Sequence, residues 1–396
     1  MRRLLYENTA FGGDMKTRRT IAAIALVVLA GVITGCSTGG GSLAGAGPVA
    51  EQQALVTADP ADGTQDVNPA APVTLRTGIG QITEVQFSKP DGGRLDGVLS
   101  EDKTSWKLGV DLGFGKTYSW TAKAKNDKGT VTESKGSLTT LAPGRTVQAR
   151  MDMGDGGTYG VGQTFGIKFP SPVQDKAAVQ KRLTVTATPA PVEGSWAWVS
   201  DTEVRYRPAA YWPANTHVHV AAKLYAAPVA PGAYGANDLT LDFDIGRSRI
   251  MRGNTQTHRF LVEDNGVQTA DYPASYGAEN DPGKVTPNGN YVIMSKHETE
   301  RMKNDKYNYD VMVNKAMRFS SNGEYTHAYS QNPNIGRSNS SHGCVNLRDA
   351  DAAALFGSSL VGDPVIITGS SVEMPAYATN RDWQLPYAQW KAKSAL

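Results

Sequence analysis

The chain has 396 residues, enough for two or three domains. With 40% hydrophobic and 20% charged residues it has a globular rather than a disordered composition. A formal charge of +2, with no basic block interleaved with aromatics, argues against nucleic acid as a partner.

The stretch MKTRRTIAAIALVVLAGVITGC begins at Met15 with Lys16, Arg18 and Arg19, then runs apolar from Ile21 to Ile33. A basic start, a short apolar run and small residues before a cut are the layout of a secretory leader. The run is shorter than the roughly 20 apolar residues that a membrane-crossing helix needs. Residues 1–14 add nothing to this layout, so translation is expected to start at Met15. The segment ITGC, residues 33–36, resembles the lipobox of bacterial lipoproteins. That resemblance implies a leader over residues 1–36, lipid on Cys36, and an exported protein anchored on the membrane and facing the cell wall. The alternative is an ordinary leader that happens to hold a cysteine. Residues 37–53, rich in Gly, Ala and Ser without periodicity, read as a flexible tether.

Residues 54–146 show short alternating segments, PVTLRTG, ITEVQFSK and KTYSWTAKAKN among them, cut by Pro, Gly, Asp and Asn. That spacing predicts an Ig-like β-sandwich. LAPGRT marks a break, and residues 147–249 repeat the style as a second sandwich. One helix is expected there, DKAAVQKRL over residues 175–183. His217 and His219 in THVHV could share a strand face as metal ligands. With no Asp, Glu or Cys at ligand spacing, they read as surface histidines.

Residues 250–371 differ. Asp264, Asn265 and Gly266 predict a tight hairpin turn, because Asn-Gly tolerates positive φ. Turn clusters at residues 281–283 and 287–289 lead into a strand, strand-like patterns continue to His327, and RDADAAALFGSSL, residues 348–360, predicts a helix. The fold class is mainly β: two Ig-like sandwiches, then a mixed, β-rich domain with one or two short helices. The tail, residues 372–396, carries Trp383, Tyr387 and Trp390, and is expected to pack back on the body.

If Cys36 carries lipid, Cys344 is the one thiol of the exported protein and has no disulfide partner. It sits in SSHGCVNLRD, with His342 two residues before it and His327 across a loop rich in Asn, Ser, Pro and Gly. A buried thiol, a zinc ligand and a nucleophile are the three readings. The polar, turn-like context argues against the first. Ligand counting argues against zinc, since His327, His342 and Cys344 lack a fourth partner. A nucleophile needs a base, a group that orients the base, and oxyanion donors. Backbone N–H groups at Gly343 and Cys344 could supply those donors, and the start of the downstream helix could lower the thiol pKa.

SHGCVN, residues 341–346, preceded by His327, resembles the Ser/Thr-His-Gly-Cys-apolar-Asn/Arg motif of bacterial L,D-transpeptidases. TPNG, residues 286–289, ahead of Tyr291 matches a second, less specific pattern of that family. The two sandwiches and the aromatic tail are similar to those of mycobacterial-type members. The resemblance implies Cys344 as nucleophile and His327 as base. It implies His342, Gly343 and the Cys344 N–H at the oxyanion hole, with Tyr309 (or Tyr307) beside it, and Ser341 and Asn346 at the substrate or loop. Ala328 stands where close relatives often have Ser or Gly after the histidine, so its backbone carbonyl is left to orient the ring. Lys315 stands where relatives have a tryptophan, on the acceptor side. The implied reaction needs no metal or organic cofactor. Its implied partners are peptidoglycan stem peptides as donor and acceptor, and carbapenem-type β-lactams as inhibitors. Two rivals are a non-catalytic wall-binding lipoprotein and a cysteine peptidase or sortase-like transferase using Arg337 or Arg348.

Overall fold

The computed structural model describes residues 52–396 apart from 377 and 380, so the leader, Cys36 and nearly all of the tether lie outside the described residues. Among the described residues strand accounts for 45% and helix for 7%, so the fold is mainly β.

In the first sandwich, Val56–Asp59, Thr74–Thr77, Ser105–Leu108 and Gly97–Leu99 form one sheet. Thr64–Val67, Val131–Thr140, Thr117–Lys125, Gln81–Ser88 and Arg94–Leu95 form the other. Thr117–Lys125 shows why the alternation is legible: Tyr118, Trp120, Ala122 and Ala124 are buried while Thr117, Ser119 and Lys125 face out. Phe87 stacks on Trp106 in the core between the sheets, with ring centroids 5.9 Å apart.

The second sandwich pairs Arg150–Met151, Phe165–Lys168, Glu203–Pro208 and Gly194–Trp198 in one sheet. Thr158–Tyr159, Leu239–Ile245, His217–Ala222 and Leu183–Thr188 form the opposing one. Two boundaries shift. The strand Arg145–Val147 lies parallel to Ala233–Gly235, so residues 145 and 146 belong with the second sandwich and not the first. Arg249 opens a strand of the third domain's sheet and does not end the second sandwich. In both cases backbone pairing decides, and it continues across the point where the residue pattern changes. The helix α1, Lys176–Gln180, is shorter than the nine residues expected. Asp175 caps it by accepting from the Ala178 N–H, and Leu183 already starts a strand.

The third domain is built on one sheet. Its strands in chain order are β1 (Arg249–Asn254), β2 (Arg259–Asp264), β3 (Val267–Ser275), β4 (Gly289–Val292) and β5 (Ser295–Asn304). They continue with β6 (Tyr309–Arg318), β7 (Tyr325–Ala328), β8 (Val345–Leu347) and β9 (Pro364–Thr368). The spatial order is β4-β9-β1-β2-β3-β8-β7-β6-β5. Asp264 pairs with Val267, leaving Asn265 and Gly266 as a two-residue turn with φ of 50° and 79°. The strand β5, SKHETERMKN, was not legible as one: both its faces are largely exposed, so it carries no apolar alternation. Helix α2, Asp349–Ser358, packs through Ala352 and Leu355.

The tail contains helix α3, Tyr387–Lys391. Trp390 is buried and donates from Nε1 to Ser195 O at 2.9 Å, and Trp383 donates to Gly162 O at 2.7 Å. The Arg207 guanidinium lies 4.7, 5.6 and 5.3 Å from the rings of Trp383, Tyr387 and Trp390.

Candidate active site

Topology brings the two halves of the motif together. β7 and β8 run parallel, with Thr326 opposite Val345, His327 opposite Asn346 and Ala328 opposite Leu347. The turn carrying Cys344 feeds directly into β8, so the thiol stands at the start of the strand beside the one that carries His327, although seventeen positions separate them in the chain. Both line a cleft of about 420 Å³, together with Met302, Tyr309, Asn332 and His342. A larger cavity, about 780 Å³, lies between the second sandwich, the sheet and the tail and contains neither residue.

His327 is buried and held at both ring nitrogens. Nδ1–H donates to the Ala328 carbonyl at 3.1 Å, and Asn346 Nδ2 donates to Nε2 at 3.0 Å. Asn346 is itself fixed, accepting from Asn332 Nδ2 at 3.0 Å. Burial pulls the imidazole pKa down, partly opposed by the Ala328 carbonyl. Among the described residues neither nitrogen is bonded to the sulfur.

Cys344 is free and half-buried. Its Sγ lies 3.9 Å from Met302 Sδ and 3.9 Å from Gly323 O. Desolvation pushes the thiol up to about 12, opposed by the Tyr325 backbone N–H and reinforced by Glu324. The expectation that the helix start would lower it fails. The three-residue strand β8 and Arg348 intervene before α2, and the dipole effect fades within a helix's first turn. Burial thus favours the neutral form of both the thiol and the imidazole.

The turn before Cys344 is braced from inside. Gly343 has φ of 122°, a backbone that favours glycine. Its N–H donates to Ser341 Oγ at 3.1 Å, which ties this amide into the turn. Ser341 Oγ in turn donates to Cys344 O at 2.6 Å. Thr286, from TPNG, donates to Gly343 O at 2.8 Å and accepts from the Gly277 N–H at 2.9 Å. The second pattern in the sequence is thus a strut under the first.

His342 is exposed and stands against Tyr309 and Tyr307, with ring centroids 4.9 and 5.3 Å away. Tyr309 lines the cleft, and burial together with the Cys344 charge raises its phenol pKa. Tyr307 instead lies under the Lys284 and Lys306 ammonium groups, outside the cleft. Lys315 also lies away from it, paired with Glu298 and set over the Phe356 ring at 5.3 Å.

Two groups escaped the sequence. Glu324, three residues before His327, places the Cγ of its side chain beneath Gly343, and no motif or spacing announced it. Asp242 and Asp244 pair across strands with His219 and His217 at 2.8 and 2.9 Å, partners that chain spacing hides. Among the described residues no group of three or more His, Cys, Asp or Glu side chains is placed to hold a metal ion.

Residues 248–367 match the L,D-transpeptidase catalytic domain, and residues 64–228 match a bacterial Ig domain. The chain is 36% identical over 393 residues to L,D-transpeptidase 5 of Mycobacterium tuberculosis, covering 97% of this chain and 86% of that protein. It is 29% identical over 350 residues to L,D-transpeptidase 2 of the same species, covering 86% of this chain and 85% of that protein. Among solved structures, an L,D-transpeptidase in complex with imipenem shares 30% identity at a TM-score of 0.47, over 55% of this chain and 97% of that one. A chain with this catalytic domain, this Ig region and these relatives belongs to the L,D-transpeptidase family.

Proposed function

We propose that this transpeptidase forms 3→3 cross-links in peptidoglycan, with Cys344 as nucleophile and His327 as base. The observation that carries the reading is the parallel β7–β8 pair, which puts a thiol and an oriented imidazole on one cleft. As the donor stem binds, the thiol proton passes to His327 Nε2, which exchanges its bond from Asn346 for the sulfur. Nδ1–H stays on Ala328 O and holds the ring. The thiolate attacks the carbonyl of the third stem residue, a diamino acid such as meso-diaminopimelate. The Cys344 N–H and the Tyr309 hydroxyl meet the oxyanion, with His342 packed behind Tyr309. The C–N bond to D-Ala breaks and the imidazolium protonates the departing amine. The side-chain amine of a second stem then attacks the thioester, giving its proton to His327 and releasing Cys344.

Ser341 and Gly343 act in this scheme by holding the turn, and Asn346 by holding His327, rather than by touching substrate. Carbapenem-type β-lactams would acylate the same sulfur. We further propose that residues 1–36 direct export, that Cys36 carries lipid, and that the tether and sandwiches hold the catalytic domain at wall depth.

Incubating the protein with a disaccharide-tetrapeptide should yield cross-linked dimer and free D-Ala by mass spectrometry, both absent in Cys344→Ala. A carbapenem should add its mass to wild type and not to Cys344→Ser. A folded wild-type protein that takes up no adduct would remove Cys344 from the nucleophile role.

A further inference from the structure

Glu324 stands immediately before β7 with the sulfur of Cys344 against both of its chain neighbours. Gly323 O is 3.9 Å from Sγ, and the Tyr325 N–H donates to the sulfur. The Glu324 carboxyl turns inward. Its Oε2 is sealed from solvent and has no hydrogen-bond partner among the described residues. Its Cγ lies 3.6 Å from the point where a Cβ would project from Gly343, so the side chain fills the space under the nucleophile's turn.

A buried carboxylate is ordinarily paired with a cation. The cation within range is Arg318 on β6, whose charge favours the carboxylate although its guanidinium hydrogen bonds go elsewhere. Nε donates to Ser320 O at 2.9 Å and Nη2 to Ser321 O at 3.0 Å, with the ring of Tyr325 5.8 Å away. From β4, Tyr291 faces the same space with its hydroxyl bonded to Pro287 O. Ser320 and the Glu324 backbone N–H supply hydrogen bonds, while burial favours the protonated acid. The Glu324 charge is felt by Cys344, whose thiol pKa it raises, and by the Tyr291 phenol. Two acids in one low-dielectric site cannot both ionise freely.

We propose that Glu324 is a positioning residue that governs the charge of the nucleophile: as a neutral acid beneath the turn it permits the Cys344 thiolate, and as a carboxylate it opposes it. The inference rests on Cys344 as nucleophile.

The test is the pH dependence of Cys344 alkylation by iodoacetamide in the full chain. Coupling of two acids breaks the ordinary tenfold rise per pH unit. Wild type should show a shelf where Glu324 ionises, then a second rise. In Glu324→Gln the shelf should vanish, and the rate at pH 8 should rise by about threefold to tenfold, a shift of roughly half to one pH unit. His327→Ala should keep the shelf, which separates Glu324 from the imidazole. A straight rise in wild type, or a folded Glu324→Gln with the wild-type profile, overturns the proposal. If Glu324→Gln does not fold, the wild-type and His327→Ala profiles decide alone. Carbapenem labelling of wild type at Cys344 is run in parallel. Its absence sinks the nucleophile reading, whereas labelling with no shelf sinks only the role of Glu324.

Discussion

Thr286→Val removes one hydroxyl from a fully buried position and leaves the shape of the side chain nearly unchanged. That hydroxyl makes two bonds, to Gly343 O at 2.8 Å and from the Gly277 N–H at 2.9 Å. Both backbone partners would remain buried without a substitute. Each such orphaned group costs about 1–3 kcal/mol, so a rigid turn loses about 2–6 kcal/mol of stability. At about 2–4 °C per kcal/mol, the unfolding transition of the catalytic domain falls by roughly 10 °C. If the turn relaxes instead, Gly343 O moves to find a donor and carries Cys344 with it. The loss then appears in acylation, about tenfold for every 1.4 kcal/mol of misplacement. Differential scanning calorimetry and carbapenem acylation rates measured together register both routes. Thr286→Ser, which keeps the hydroxyl, should recover most of the loss. Wild-type stability together with wild-type acylation in Thr286→Val would refute the idea that TPNG braces the nucleophile.

Asn346→Ala leaves the buried His327 Nε2 without its donor and frees Asn332, so acylation should fall about tenfold and the melting temperature should fall as well. An unchanged rate would show that Ala328 O orients the ring unaided. The pH dependence of stability has two edges. Burial holds His327 below its ordinary 6.5, so its contribution is complete above pH 6.5 and is lost as pH falls further, because the unfolded chain takes the proton first. Cys344 is raised from 9.0 to about 12, so its contribution is complete below pH 9 and declines above it, where only the unfolded chain sheds the proton. Urea unfolding of wild type against His327→Gln and Cys344→Ala should show each edge disappear in the matching variant. Arg207→Leu removes the cation shared by Trp383, Tyr387 and Trp390, at roughly 0.5–2 kcal/mol per contact. Amide exchange in α3 should quicken while carbapenem acylation stays at the wild-type rate. Protection of α3 equal to wild type would show that its buried Trp390 alone holds the tail.

The sandwiches were readable from the chain because half-buried strands must alternate, and Tyr118, Trp120, Ala122 and Ala124 alternate. The hairpin at Asn265 and Gly266 was readable because its turn needs positive φ at both positions. Cys344 and His327 were readable as candidates because thiols and imidazoles are rare here and chemically pointed. Strand β5 was not, since a strand wet on both faces leaves no periodic trace.

Sequence alone also determined the family resemblance, through SHGCVN and TPNG, but not what those residues touch. Only the parallel pairing of β7 and β8 decided that His327 lies beside the strand that Cys344 leads into, while the nearer His342 lies tilted against two tyrosines. Only the folded turn decided that the Gly343 amide is tied to Ser341, that Thr286 is its strut, and that Glu324 lies beneath it. The physical reason is common to all of these. Local propensity is set by neighbours in the chain, whereas hydrogen bonds, burial and charge coupling are set by neighbours in space, which strand pairing brings together from segments tens of residues apart.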